Sequence, residues 1–156
     1  MTEESLARVL VTHRYAAAPE RVFDAFLDVG VARRFLFATA TGEMVEAEIE
    51  PHVGGRFLFV ERRPDMGEVR HVGEYLEIDP PRRLSFSFGV PQFDPRMTTV
   101  TIDIRPIGPE PGDGCELALV NEGVPVAYAK NNHDGWSRIL EGLSPAYDGV
   151  HAAGWR

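Results

Sequence analysis

The sequence predicts an α+β fold in which a curved antiparallel sheet of about seven strands wraps on a long C-terminal helix, with two short helices after the first strand. Three observations predict it. Proline and glycine residues divide the middle of the chain into segments of hairpin length. Apolar and polar side chains alternate in those segments, whereas apolar residues near both ends recur at helical spacing. A sheet and a helix that each have one apolar face bury those faces against each other.

The strands are predicted from period-two alternation. The first strand spans about Ala7 to Tyr15. Alternating segments then follow at positions 45–50, 84–88, 100–104 and 117–119, within a meander of six strands. Glu46, Glu48 and Glu50 interleave with apolar residues and are therefore predicted to face solvent.

The helices are predicted from one-face apolar spacing. Pro19 suits the first turn of a helix over residues 19–27, and a second short helix covers residues 31–36. The terminal helix begins near Ala127 and ends by Ser144-Pro145. Its apolar stripe consists of Trp136, Ile139, Leu140 and Leu143. Gly135 and Gly142 are unfavourable residues within it.

Composition and charge restrict the classes of partner. The 156 residues form one domain over residues 1–156, and the formal charge of −8 disfavours nucleic acid and anionic membranes. The acidic N-terminal segment and the absence of a long apolar run predict a cytoplasmic protein without membrane insertion. Cys115 is a single cysteine, and the five histidines lack metal-ligand spacing, so we expect no metal and no cofactor.

Five phrases, taken together and in order, resemble the START-like (SRPBCC) superfamily. They are Ala18–Phe26, Gly54–Phe57, Gly73–Leu84, Asn121–Gly123 and His133–Trp136. Within the superfamily they are most similar to the C-terminal domain of the activator of the heat-shock protein 90 ATPase, and the resemblance covers about Val9 to Leu143. It implies a helix-grip fold with a cavity between the concave sheet and the C-terminal helix, which holds an apolar ligand in many relatives. It does not imply one reaction.

Large apolar side chains are the candidates for the walls of such a cavity. Trp136 is the strongest single candidate, since its buried indole N–H would need a ligand, a water or a carbonyl as partner. A filled core is the alternative interpretation of all these residues. The wall candidates are Phe57, Phe59, Phe86, Phe88, Trp136 and Leu140, and Phe35 belongs to the mouth.

The strand over residues 69–78 supplies the polar candidates. Glu74 shares a face with the apolar residues of that strand and would enter the cavity if that face points inward, where it could act as an acid or base. A bulge at Gly73 or a salt bridge to Arg56 would instead keep it outside. In the bulged arrangement His71 and Tyr75 would line the cavity; the alternative interpretation of His71 is an imidazole on the surface.

Three functions follow as hypotheses. The first is a binding domain that encloses an apolar or amphipathic small molecule between sheet and helix. The second is a cyclase- or aromatase-like enzyme with a cavity acid or base, although no standard catalytic signature is present. The third is a chaperone ATPase regulator that acts through a protein surface. Association as a homodimer is left open, because no apolar stripe identifies an interface.

Overall fold

The computed structural model describes the backbone of residues 5–150 and the side chains of residues 5–143. Two helices follow the first strand, six strands form a meander, and a long helix ends the described chain. The elements are β1 (Leu6–Tyr15), α1 (Pro19–Leu27), α2 (Val29–Phe35), β2 (Glu43–Ile49), β3 (Arg56–Arg63), β4 (Gly67–Asp79), β5 (Arg83–Phe88), β6 (Thr98–Pro106), β7 (Cys115–Pro125) and α3 (Ala129–Val150). This order confirms the predicted α+β helix-grip fold.

All seven strands belong to one antiparallel sheet with the order β1-β7-β6-β5-β4-β3-β2. The first strand therefore lies beside the last one, and β1 and β2 form the two edges. Helix α3 packs against β1, β7 and α2, so the core lies between the sheet and the three helices. The predicted inward faces of β5, β6 and β7 are confirmed, since Leu84, Phe86, Val100, Ile102, Leu117 and Leu119 are all buried.

The two short helices have local reasons to form. Pro19 occupies the first turn of α1, which buries Val22, Phe23 and Phe26. Helix α2 begins at Asp28, whose side chain accepts hydrogen bonds from the backbone N–H groups of Gly30 at 2.9 Å and Val31 at 3.4 Å. This side-chain cap satisfies two of the N–H groups that lack a partner in the first turn of α2.

The orientation of β4 contradicts one predicted site residue. His71 and Tyr75 are buried, whereas Glu74 is exposed on the outer face, opposite Arg56 in register. The placement of Glu74 in the cavity is therefore wrong. The physical reason is a bulge at Leu76, where the pairing with β5 shifts register, so the apolar positions on either side of it belong to different faces.

Gly73 is required by this orientation. A Cβ atom there would collide with the carbonyl oxygen of Ser87 and with the ring of Phe57. The glycine thus lets the Phe57 ring lie against β4 and lets β5 approach closely.

The predicted end of the terminal helix is also wrong. Helix α3 continues through Ser144-Pro145 to Val150. An interior proline removes one helical hydrogen bond at a cost of about 3 kcal/mol, but it does not forbid continuation in a helix of 22 residues. The predicted start near Ala127 lies in the short 3₁₀ turn Val126–Tyr128 that leads into the helix.

Candidate functional site

A chamber of about 220 Å³ lies between the sheet and the first half of α3. Its wall combines aromatic rings with two arginines, a histidine and an asparagine, and contains no carboxylate. The lining residues are Phe37, Ala38, Thr39, Arg63, His71, Phe88, Val90, Asn132, Gly135, Trp136, Arg138 and Ile139. They come from the segment after α2, from β3 to β5, and from one face of α3.

An aromatic stack forms one wall of the chamber. The ring of Phe37 is stacked on His71 with centroids 4.7 Å apart, on Phe88 at 5.0 Å and on Phe57 at 5.8 Å. Trp136 approaches Phe37 edge-on at 5.7 Å. Phe37 itself has φ of 61°, a left-handed backbone conformation that is rare for a bulky residue. Such strain, of order 1–3 kcal/mol, persists only where the surrounding contacts hold the residue in place.

A buried carboxylate holds the segment that carries Phe37. Glu61 is 1% exposed, and its Oε2 accepts hydrogen bonds from the Thr39 backbone N–H at 2.5 Å and the Thr39 hydroxyl at 3.0 Å. Its Oε1 accepts from the Nε of Arg63 at 2.6 Å. Because every polar contact of this carboxylate points to β3 or to residue 39, it ties the segment after α2 to the sheet.

His71 is a neutral hydrogen-bonding group in this wall. Its Nδ1 lies 3.1 Å from the carbonyl oxygen of Phe59, and a carbonyl can only accept, so Nδ1 carries the proton. Burial lowers the pKa of His71 to about 4, against the opposing effect of that hydrogen bond. The ring is therefore uncharged at neutral pH, and its second nitrogen is an acceptor.

Asn121 organises the polar side of the chamber. The indole N–H of Trp136 can only donate, and it lies 3.1 Å from the Oδ1 of the fully buried Asn121. That contact fixes the orientation of the Asn121 amide, whose Nδ2 donates to the Thr98 hydroxyl at 2.9 Å and the Thr99 carbonyl at 3.1 Å. The expected partner of the Trp136 indole is thus a carbonyl, supplied by a side chain.

The same contact fixes the orientation of Asn132. Its Nδ2 donates to the Asn121 Oδ1 at 2.9 Å, so its own Oδ1 is the remaining acceptor. This buried oxygen has no hydrogen-bond partner among the described residues. A buried acceptor without a donor costs about 1–3 kcal/mol. This oxygen is fully covered by protein and therefore does not face the space of the chamber.

Gly135 contributes space to the chamber. A Cβ atom built on Gly135 meets no atom within 4 Å outside its own helix and chain neighbours. A Cβ atom on Gly142, two turns later, lies 3.6 Å from the Cβ of Phe35, an ordinary packing contact. The two glycines of α3 thus differ, since one faces open space and the other faces the core.

Three of the nine predicted site residues line the chamber, namely His71, Phe88 and Trp136. Phe57 belongs to the aromatic stack through Phe37 but does not line the chamber, and Phe59 and Phe86 lie in the core next to it. Phe35 packs edge-on against Phe26 at 5.3 Å, and Leu140 is fully buried. Glu74 lies outside. Sequence reasoning missed Thr39, Arg63, Asn121, Asn132, Gly135 and Arg138. Extending the helical stripe backward from Ile139 by i−3, i−4 and i−7 would have found three positions of this wall, Trp136, Gly135 and Asn132.

A second depression adjoins the chamber. This groove of about 530 Å³ shares Phe88, Val90 and Asn132 with the chamber and includes the exposed rings of Phe93 and Tyr128. It extends the chamber toward solvent.

In the part of the chain that the structure describes, no group of three or more His, Cys, Asp or Glu side chains has the arrangement of a metal site. None of the described helices is long and apolar enough to span a membrane. Cys115 is buried, and burial raises the pKa of its thiol to about 11, which disfavours the thiolate.

Solved structures share this fold over nearly the whole chain. Protein CV1439 from Chromobacterium violaceum is 26% identical, with a TM-score of 0.72 over 88% of this chain and 95% of that one. An AHSA1-like protein from Aeromonas hydrophila is 21% identical, with a TM-score of 0.75 over 96% of each chain. A protein of unknown function from Staphylococcus aureus is 15% identical, with a TM-score of 0.78 over 96% of this chain and 98% of that one. The latter two likenesses show the fold alone.

No curated protein matches the sequence significantly. The family described as Activator of Hsp90 ATPase homolog 1-like protein matches residues 16–147, which is more than half of the chain. Together with the helix-grip architecture, this match shows that the chain belongs to the Activator of Hsp90 ATPase homolog 1-like family within the START-like superfamily.

Proposed function

We propose that the protein binds a small, flat, apolar or amphipathic molecule in the chamber between the aromatic stack and α3. The observation that carries this proposal is the open space at Gly135. A glycine inside a helix costs about 1 kcal/mol relative to alanine, and here an alanine would meet no steric obstacle in the core. Packing of the protein does not require a glycine at this position. The open space beside it therefore supports a ligand-binding role.

The size of the chamber sets the size of the ligand. An apolar cavity of about 150 Å³ is sufficient for benzene, so about 220 Å³ suits a molecule of one or two rings. A longer molecule would extend into the adjoining groove past Phe88 and Asn132. Flat rings suit the wall because Phe37, His71 and Phe88 are nearly parallel, with interplanar angles of 6–12°.

A polar group in the wall would orient such a ligand. The second nitrogen of the neutral His71 is an acceptor, and a ligand hydroxyl or N–H could donate to it. Binding of an amphipathic ring compound would therefore gain from both the aromatic wall and this nitrogen.

The enzymatic alternative is less well supported by these positions. Glu74 lies on the outer face, and a pKa of about 4 makes His71 a weak base at neutral pH. The chaperone-regulating role, the homodimer and the cytoplasmic location stay predictions.

Isothermal titration calorimetry with 2-naphthamide, a neutral two-ring compound, tests the proposal. We expect binding to the wild-type protein and at least roughly tenfold weaker binding to Gly135→Leu, because the new side chain fills the chamber. Gly142→Ala is the matched control, since it changes the same helix away from the chamber and should bind like the wild type. Equal affinity of Gly135→Leu and wild type, or no binding to wild type, contradicts the proposal.

A further inference from the structure

The residues that line the chamber differ in charge type from the chain as a whole. The sequence carries 24 acidic and 16 basic residues. The chamber lining nevertheless includes two arginines, Arg63 and Arg138, and neither an aspartate nor a glutamate. A local positive field in an acidic protein favours an anion at this place and repels it elsewhere.

The two arginines differ in what they already bind. Arg63 donates to the buried Glu61 at 2.6 Å, so its charge is balanced within the protein. Arg138 is exposed and forms no ion pair with any residue that the structure describes. The acidic residue one turn earlier, Asp134, is engaged by Lys130 at 2.9 Å. Arg138 therefore has donors available to a ligand.

The position of Arg138 connects these donors to the apolar wall. It lies on α3 between Trp136 and Ile139, and all three residues line the chamber. A ligand whose rings lie against Trp136 and Phe37 would place a substituent toward solvent beside the guanidinium. The planar guanidinium binds carboxylate, sulfonate and phosphate groups through two parallel hydrogen bonds.

From this juxtaposition we propose that the chamber selects molecules with an anionic group on an aromatic body, and that Arg138 determines this specificity by binding the anion. The inference rests on the proposed function and narrows its ligand class to aromatic acids. Arg63 remains paired with Glu61 and is not part of this selection.

The test compares two ligands of equal shape, 2-naphthoate and 2-naphthamide, by calorimetry on the full chain. Wild type is expected to bind the acid roughly fivefold more tightly than the amide, the size of effect of one favourable ion pair at a partly shielded site. Arg138→Gln should bring the ratio of the two affinities close to one, because both ligands then lack a charged partner. Raising the ionic strength from about 0.1 M to about 1 M should weaken the preference of the wild type.

Arg8→Gln is the matched control, because Arg8 is an exposed arginine of β1 outside the chamber lining, and it should keep the preference. Thermal unfolding of each variant verifies that it is folded. The specificity inference is overturned if Arg138→Gln retains the wild-type ratio of affinities, or if wild type binds the amide as tightly as the acid. Failure of wild type to bind either compound overturns the proposed function itself, so the two failures are distinguishable.

Discussion

Two parts of α3, residues 129–139 and residues 140–143, face the same sheet but are built differently; below they are called the two halves of the described helix. Around Gly142 the helix is packed, with Leu140 and Leu143 fully buried and the Tyr15 hydroxyl donating to the Leu140 carbonyl at 2.7 Å. Around Gly135 the helix borders the chamber. Here Asn132 and Trp136 attach it to the sheet by donating hydrogen bonds to Asn121. One half of the helix stabilises the fold, whereas the other half leaves space that a ligand can occupy.

A single helix can thus both stabilise the fold and border a space for a ligand. Close packing at Leu140 secures the helix against the sheet, since dense apolar contacts contribute most of the stability of a core. Directional hydrogen bonds at Trp136 and Asn132 then hold the other half in place without filling the space beside it.

The largest expected effect comes from truncating the packed half. Leu140→Ala should lower the free energy of unfolding by about 3–4 kcal/mol, because it leaves a cavity in a fully buried site. The neighbouring Ile139→Ala should cost only about 1 kcal/mol, since Ile139 is partly exposed and already borders the chamber. Urea unfolding measures both values. Equal costs would show that the two halves are packed alike.

Removal of Asn121 should have the next largest effect. Asn121→Ala leaves the Trp136 indole N–H and the Asn132 amide without their common acceptor, and we expect a loss of about 2–3 kcal/mol. Trp136→Phe removes only one hydrogen-bond donor. Loss of that hydrogen bond should lower the free energy of unfolding by about 1 kcal/mol, in addition to the effect of the smaller side chain on packing. A double-mutant cycle between the two gives their coupling. A coupling energy near zero would contradict the structural role assigned to Asn121.

A pH effect is expected from His71 in the chamber wall. Its pKa is about 4 in the folded protein against 6.5 ordinarily, mainly because of burial, while Glu61 and Arg63 face it with opposite effects. As the pH falls, His71 is therefore protonated in the unfolded chain before it is protonated in the folded protein. The stability present at pH 7 is lost as the pH falls from about 6.5 toward 4. Between pH 7 and about pH 5 the loss should be roughly 2 kcal/mol.

The control for this effect is His71→Phe, which keeps an aromatic ring in the stack but has no titratable nitrogen. Its stability from urea unfolding should change little over the same pH interval. A wild-type stability as independent of pH as that of the variant would contradict the burial of a neutral histidine.

The smallest expected effect distinguishes the two glycines. Gly135→Ala and Gly142→Ala should each stabilise the protein by about 0.5–1 kcal/mol, since alanine restricts the unfolded chain and favours the helix. Neither new methyl group meets an obstacle. Only Gly135→Ala should weaken the binding of 2-naphthamide, because only its methyl group enters the chamber. Urea unfolding measures the stability of both variants, and calorimetry measures their affinity for 2-naphthamide. Equal affinities of the two variants would refute the distinction between the two glycines.

The fold was predictable because its signals are local. Alternation in β5, β6 and β7 and the apolar stripe of α3 each follow from one burial face per element. The inward face of β4 was not predictable in the same way, since the bulge at Leu76 exchanges the two faces without a glycine at that position to indicate it. The continuation of α3 past Pro145 likewise depends on context that overrides local propensity.

The candidate site was less predictable because it is assembled by tertiary contacts. Trp136 could be identified from its place on the helical stripe, but its partner Asn121 lies 15 positions away on β7. The segment that carries Phe37 is tied to the sheet by the hydrogen bonds of Glu61 to Thr39. From the sequence alone, an isolated glutamate in a strand is expected to be solvent-exposed. The space itself results from Gly135, which by sequence alone indicates a weak helix.

A ligand bound in the chamber is expected to contact α3 around Gly135 and not around Gly142. Two-dimensional ¹⁵N NMR of the protein titrated with 2-naphthamide tests it directly, with Trp136→Phe used to assign the Trp136 indole signal among the two tryptophans. We predict that the largest shifts affect the Trp136 indole N–H, the Asn132 side-chain amide and the Gly135 backbone N–H. Largest shifts at Leu140, Gly142 and Leu143, or on the outer face near Glu74, would contradict binding in the chamber.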